Sequence, residues 1–304
     1  MKAGEAFKRY IAPALIVVGV LFSSILGFSS ALKQKSGKTD YAKWMANLND
    51  NTSLREVNMP GSHDTMATIS IGNLAGQCQS LSLEDQLNLG VRFLDIRLQQ
   101  VKGDLKAVHG IVDQKVRFDE INNVVNKFLE NNPTEFIIMS VKEETKASNP
   151  VGSFEDVLKN KLSERYLLGR DLPNKVGEIR GKVVLLSRYK GSSIGVDAYA
   201  GWLDSTSFTL PNSDIYIQDE YKITSGEQKI NAITNCFNET GHALKINFLS
   251  AYRTNMIPPS YAPTAAHDVN TWVEQNIKNY HDRGIVLYDF VTEANMRTFF
   301  GGNA

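Results

Sequence analysis

Four segments limit what this 304-residue chain can fold into: VRFLDIRL at 91–98, FIIMSVK at 136–142, KVVLLSR at 182–188 and GIVLYDF at 284–290. All four are largely apolar and rich in Val, Ile, Leu or Phe. A strand with one face in water alternates apolar and polar residues. These do not, so they read as parallel strands covered on both faces.

Four further runs complete a set of eight: REVNM (55–59), KAVHGI (106–111), IYIQD (215–219) and KINFLSAY (245–252). Helical patterns separate many of them. LSLEDQLNLG carries a leucine stripe and ends at Gly90; DEINNVVNKFLENNP stops before Pro133. SFEDVLKNKLSE opens on Ser153 as N-cap with Asp156 three residues on. GEQKINAITNCFNET and DVNTWVEQNIKNYHDRG follow. Eight strands with intervening helices predict a single α/β domain, a distorted (β/α)₈ TIM-type barrel over residues 45–300. The connection QQVKGDLKA is too short for a helix, so the expected irregularity or gap lies between the second and third strands. A doubly wound open sheet competes, but no glycine-rich phosphate turn follows the first strand.

The first residues differ from the rest. Lys2, Lys8 and Arg9 precede an uncharged apolar run from Ile11 to Phe28, and Ser29 and Ala31 offer small residues for cleavage. Residues 1–31 read as a secretory signal peptide or an uncleaved membrane anchor, and residues 32–44 as a linker. Either way the barrel is secreted or extracytoplasmic. The whole chain has 33 basic and 33 acidic residues. That balance argues against nucleic acid as partner, and no obligate protein partner is indicated. Cys78 and Cys236 are compatible with a disulfide or with two reduced thiols.

In a barrel of this type the working groups stand at the carboxyl ends of the strands. Reading those positions gives His63 and Asp64, then Asp95 and Arg97, His109, Lys142, Arg188, Asp219 and Asp289. Pro60 and Gly61 predict a tight turn that exposes His63. Any one of these residues has a structural explanation; together they converge on one ring. Two histidines around an arginine suit phosphoryl transfer. One takes a proton from the nucleophile, the other gives one to the leaving group, and the guanidinium holds the phosphate charge.

The runs MPGSHDT, DQLNLGVRFLDIRL and AVHG resemble the X-region of bacterial phosphatidylinositol-specific phospholipase C. PTEFIIMSVKEE, RGKVVLLSRYKGSS, IYIQDEYKI and GIVLYDFV continue the likeness, which covers roughly residues 45–295. The resemblance implies attack of the inositol 2-hydroxyl on the phosphodiester, giving diacylglycerol and a 1,2-cyclic inositol phosphate. Glycosyl-phosphatidylinositol anchors are a further implied substrate. By position, His63 is similar to the general base, His109 to the general acid and Arg97 to the phosphate-holding arginine. Asp64 resembles the carboxylate beside the arginine and leaving group, and Asp289 the one that orients His63. Lys142, Arg188, Asp219 and Tyr221 match the inositol-holding set. Calcium-dependent relatives have an acidic ligand where Arg97 stands, so the resemblance is to the metal-independent branch, with no cofactor. It also implies a phosphatidylinositol-containing membrane as partner. Seating on a bilayer needs apolar loop residues at the rim, and Leu74, Trp202, Met256, Ile257 and Tyr261 are the candidates; here the chain departs from relatives that carry tryptophan in the first and last of these loops. Two other readings remain: a non-catalytic inositol- or glycan-binding surface protein, and a metal-dependent glycerophosphodiester phosphodiesterase.

Overall fold

The computed structural model describes residues 40–70, 76–147, 149–255 and 262–301. In chain order its strands are β1 (Met59–Ser62), β2 (Phe93–Val101), β3 (Asp104–His109), β4 (Val112–Arg117), β5 (Ile137–Thr145), β6 (Tyr166–Leu167), β7 (Val183–Arg188), β8 (Val196–Asp197), β9 (Ser207–Thr209), β10 (Ile215–Gln218), β11 (Lys222–Ile223), β12 (Leu244–Phe248), β13 (Tyr252–Arg253) and β14 (Ile285–Tyr288). Its α-helices are α1 (Leu83–Asn88), α2 (Phe118–Asn131), α3 (Phe154–Lys159), α4 (Gly226–Asn238), α5 (Ala262–Asn276) and α6 (Glu293–Phe299).

Seven strands run parallel in the order β7-β5-β2-β1-β14-β12-β10 and curl into a barrel wall. β8 pairs with β7, and β9 lies antiparallel to β10; among the described strands nothing bridges the two ends. The open seam therefore falls between β7 and β10. This corrects the expectation of a gap after the second strand, where β2 and β5 are direct neighbours. The short connection is a hairpin, as its length required. β3 pairs with the far end of β2, β4 pairs with β3, and neither belongs to the ring.

Side chains along a strand alternate between faces, and here both faces are buried. Leu94, Ile96 and Leu98 of β2, with Met139 and Val141 of β5, face outward and pack with Ile121, Val125 and Leu158 of the helices. Phe93, Ile138, Val184, Ile217, Phe248 and Leu287 fill the barrel interior. The continuous apolar runs follow from this double coverage. Helix starts obey the capping signals: Ser153 accepts a hydrogen bond from the Asp156 N–H, and Ser82 does the same for Asp85.

At the amino-terminal end of the barrel, Tyr41–Asn47 form a 3₁₀ helix that buries Met45 against the interior and sends the Trp44 indole N–H to the Gly90 carbonyl. Beside it lies a fully buried pair, Arg92 and Glu135, 2.8 Å apart. Arg92 also donates to the carbonyls of Leu87, Val91 and Ala42. Burial lowers its pKa to about 10, against the pull of Glu135. Glu135→Ala strands a buried guanidinium and is expected to cost about 3–5 kcal/mol of stability, measured by denaturant unfolding.

Cys78 and Cys236 are both buried and unpaired, so no disulfide joins them. No described helix is long and apolar enough to cross a membrane. Residues 1–31, Leu74, Met256, Ile257 and Tyr261 lie outside the described residues.

Candidate active site

The barrel's inward-facing residues have a common order along each strand, apolar at the bottom and ionisable at the mouth. Met59, Gly61 and His63 follow each other at intervals of two on β1 and its exit. So do Phe93, Asp95 and Arg97 on β2, Ile138, Ser140 and Lys142 on β5, Val184, Leu186 and Arg188 on β7, Ile215, Ile217 and Asp219 on β10, and Ile285, Leu287 and Asp289 on β14. The period of two and the parallel register bring these ends to one level. Arg97 pairs with Lys142 and Lys142 with Arg188 across adjacent strands.

Pro60 and Gly61 do not form the expected turn. They lie inside buried β1, and His63 follows the strand directly. Gly61 is required by crowding: a Cβ there would stand 2.9 Å from the Phe93 Cβ. The sharp change of direction comes two residues later, where Asp64 adopts φ 38°. A non-glycine residue there is strained and must be held by its surroundings. The Asp64 N–H donates to Asp95, and the Thr65 N–H to the Asp95 carbonyl.

His63 has both ring nitrogens engaged. Nδ1 is 2.7 Å from Asp289 Oδ1, and Nε2 is 2.8 Å from an Arg97 nitrogen. A guanidinium can only donate, so Nε2 accepts and the proton lies on Nδ1 toward Asp289. Burial and Arg97 disfavour the imidazolium, but the Asp289 carboxylate, with Asp95 behind it, outweighs them and raises the His63 pKa.

Arg97 grips Asp95 Oδ2 through two nitrogens, at 3.1 and 2.9 Å. Asp95 also receives Arg188 at 3.3 Å. Burial opposes its charge, yet the two guanidinium groups hold it well below the usual carboxylate range. Arg97 is likewise held cationic by Asp95, Asp64 and Glu144 against the cost of burial.

His109 reaches the mouth from the end of β3, off the ring. Its Nδ1 is 2.9 Å from the Gly76 carbonyl, which fixes the proton on Nδ1 and turns Nε2 toward Asp64 Oδ2 at 3.7 Å. Asp64 Oδ2 is also 3.6 Å from Arg97 Nε. It is buried and makes no hydrogen bond. Burial raises the Asp64 pKa despite Arg97 and His109.

The remaining predicted residues line the same cleft of about 1110 Å³. Lys142 pairs with Glu144 at 2.6 Å; burial and the nearby arginines lower the lysine's pKa. Asp219 accepts from the Trp202 indole at 3.1 Å, and Trp202 lies flat over the Arg188 guanidinium at 3.4 Å. Trp202 is therefore part of the cleft wall and not a free rim residue. Tyr221 hydrogen-bonds Asp204, which also pairs with Lys222.

Asp95, placed in the ring by its strand-end position but given no role there, holds both arginines. Two further site residues were missed. Glu144 joins Lys142, Arg97 at 3.8 Å and the Gly110 N–H beside His109. Its position just past β5 was the available signal. Gln79 donates to the carbonyls of His63 and Tyr288 and accepts from Val291, tying the His63 and Asp289 segments together. Nothing in its local sequence marks it.

The family profile described as "Phosphatidylinositol-specific phospholipase C, X domain" matches residues 57–189. A 1-phosphatidylinositol phosphodiesterase of Listeria monocytogenes is 28% identical over 280 residues, covering 86% of this chain and 84% of the relative. One from Staphylococcus aureus (strain Newman) is 27% identical over 260 residues, covering 77% and 83%. Among solved structures, the Listeria monocytogenes phosphatidylinositol-specific phospholipase C superposes with a TM-score of 0.71 at 23% identity, covering 87% of this chain and 99% of that one. A Staphylococcus aureus enzyme gives 0.75 at 22% identity, covering 87% and 98%. The matched segment runs through β1, β2, β5 and β7, the strands that bring His63, Arg97, Lys142 and Arg188 to the mouth, and over it the chain is similar to the bacterial phosphatidylinositol-specific phospholipases C.

Proposed function

We propose that the protein cleaves phosphatidylinositol to diacylglycerol and a 1,2-cyclic inositol phosphate by metal-independent general acid–base catalysis. The observation that carries this reading is the placement of Arg97 between two differently supported histidines. His63 is backed by Asp289 and presents Nε2; His109 is backed by the Gly76 carbonyl and presents Nε2 next to Asp64.

In this reading the inositol 2-hydroxyl displaces Arg97 from His63 Nε2 and gives up its proton there. The oxygen attacks phosphorus while Arg97 turns to the phosphate. The bond to the glycerol oxygen breaks, and protonated His109 supplies the leaving group's proton. Asp64 stabilises that imidazolium. Lys142, Arg188, Asp219 and Tyr221 hold the ring hydroxyls, with Trp202 keeping Arg188 and Asp219 in place. A guanidinium at the phosphate position supplies the charge a metal ion would otherwise bring, so activity on phosphatidylinositol vesicles is expected to survive a chelator. Loss of activity restored by calcium would overturn this.

The binding-only alternative needs the ring-holding residues but gives no reason to aim both histidines at one phosphate. Identification of the cyclic phosphate product decides between them. The substrate places the barrel at a membrane surface. The charge and apolar pattern of residues 1–31 supports a secreted or tethered, extracytoplasmic enzyme.

The pH profile follows from the base. Activity is lost as His63 becomes protonated, and its raised pKa puts the acid limb of kcat/KM above about pH 6.5. Asp289→Asn removes the raising charge, so the limb moves to lower pH and kcat falls with the lost tautomer control. An unmoved limb would argue against His63 as the titrating base.

A further inference from the structure

Cys78 takes no part in the proposed reaction, yet its thiol lies on the floor of the cleft between the two histidines. Its sulfur falls within 4.8 Å of ligand atoms of Asp64 and His109, which are within that distance of each other. It makes a second trio with His63 and Asp289. The two trios are not equivalent. His63 has both nitrogens engaged, so a cation there must break a hydrogen bond to Asp289 or Arg97.

The His109 trio is already disposed for a cation. Asp64 is 1% exposed, and its Oδ2 makes no hydrogen bond. His109 Nε2 faces that oxygen at 3.7 Å, while Nδ1 donates to the Gly76 carbonyl. A histidine that ligates a metal commonly donates its other ring nitrogen in this way. Thiolate, imidazole and carboxylate together suit a thiophilic ion of zinc type. In a tetrahedral zinc site the ligands stand roughly 3.3–3.8 Å apart. His109 Nε2 and Asp64 Oδ2 already stand at 3.7 Å, and bringing the sulfur in from at most 4.8 Å takes about an ångström of side-chain rotation. Cys78 and His109 also line the cleft, from which a fourth ligand would come. Arg97 is held by Asp95 at 2.9 Å and stands 3.6 Å from the same Asp64 oxygen, so a cation must draw that oxygen away from the guanidinium.

We propose that Asp64, Cys78 and His109 form an inhibitory site for a thiophilic divalent cation, which takes the general acid out of the reaction. On coordination the thiol proton leaves to solvent and His109 Nε2 gives its lone pair to the ion. The nitrogen that should protonate the glycerol oxygen is then occupied. The binding rests on geometry alone; the inhibition rests on the proposed role of His109, and two readouts separate them.

The first readout is cobalt(II) added to the unmodified protein. A thiolate-to-cobalt charge-transfer band is expected, retained in Cys236→Ser and abolished by zinc. Absence of the band, or its loss in Cys236→Ser alone, overturns the site. The second is zinc inhibition of phosphatidylinositol cleavage. Cys78→Ser keeps basal turnover and needs more zinc for half-inhibition, by at least the roughly 10- to 100-fold that follows loss of a mere outer-shell partner of a metal ligand. Equal sensitivity of Cys78→Ser and the parent overturns the proposal. A cobalt band without zinc inhibition keeps the metal site and overturns the blockade through His109.

Discussion

Alanine at His63 is expected to lower phosphatidylinositol cleavage by about 10²–10⁴-fold, and alanine at His109 to do so equally on the natural lipid. The two losses differ in kind. Without His63 no other described residue of the cleft both accepts a proton and is held by a buried carboxylate 2.7 Å away. Without His109 the departing glycerol oxygen leaves unprotonated, which is costly only when that oxygen is strongly basic. An inositol phosphodiester with a nitrophenol leaving group should therefore restore much of the His109→Ala rate and little of the His63→Ala rate. His109→Ala should melt close to the parent, whereas His63→Ala leaves the buried Asp289 carboxylate without its partner and should melt lower while still folding. Equal rescue of both would exchange or abolish the assigned roles.

Arg97→Ala is the second large effect. The side chain holds Asp95 with two nitrogens and His63 with a third contact. It also faces the place where phosphate charge grows. Loss of one such donor in a desolvated site costs about 10²–10³-fold in kcat. Arg97→Lys is expected to recover only a minor part, because an ammonium cannot grip Asp95 through two nitrogens and reach the phosphate as well. Steady-state kinetics on a soluble inositol phosphodiester, with thermal melting as control, measure both. Full activity in Arg97→Lys would mean that charge alone suffices and that the planar fork plays no part.

Much of this site was legible because a strand's period of two is strict. Once IYIQD or GIVLYDF is taken as an inward–outward alternation, Asp219 and Asp289 must point with Ile217 and Leu287 into the barrel. Local patterns misled where tertiary contacts decided the outcome. Pro60-Gly61 has the composition of a turn, but Gly61 is small because Phe93 of the next strand presses on it. KAVHGI looked like a barrel strand, whereas β2 continues past the ring to Val101 and β3 folds back on that overhang. Trp202 looked like a lipid-facing aromatic, and only the fold brings Arg188 beneath it. Gln79 shows the limit most clearly: it acts by joining two segments more than 200 residues apart, and no local period reports that.

The register that lines up Arg97, Lys142 and Arg188 has a consequence for how firmness is distributed in the molecule. Three cations on neighbouring strands repel, and their carboxylates lie one step below and above the row instead of within it. The mouth is electrostatically frustrated, while the opposite end is locked by the Arg92–Glu135 pair and its carbonyl contacts. Local stability should then fall from floor to mouth, with backbone amides near the substrate end opening first. An inositol phosphate entering the cleft brings the negative charge that this row lacks. The ligand would complete the fold of the part that binds it, and the enzyme is most rigid when occupied.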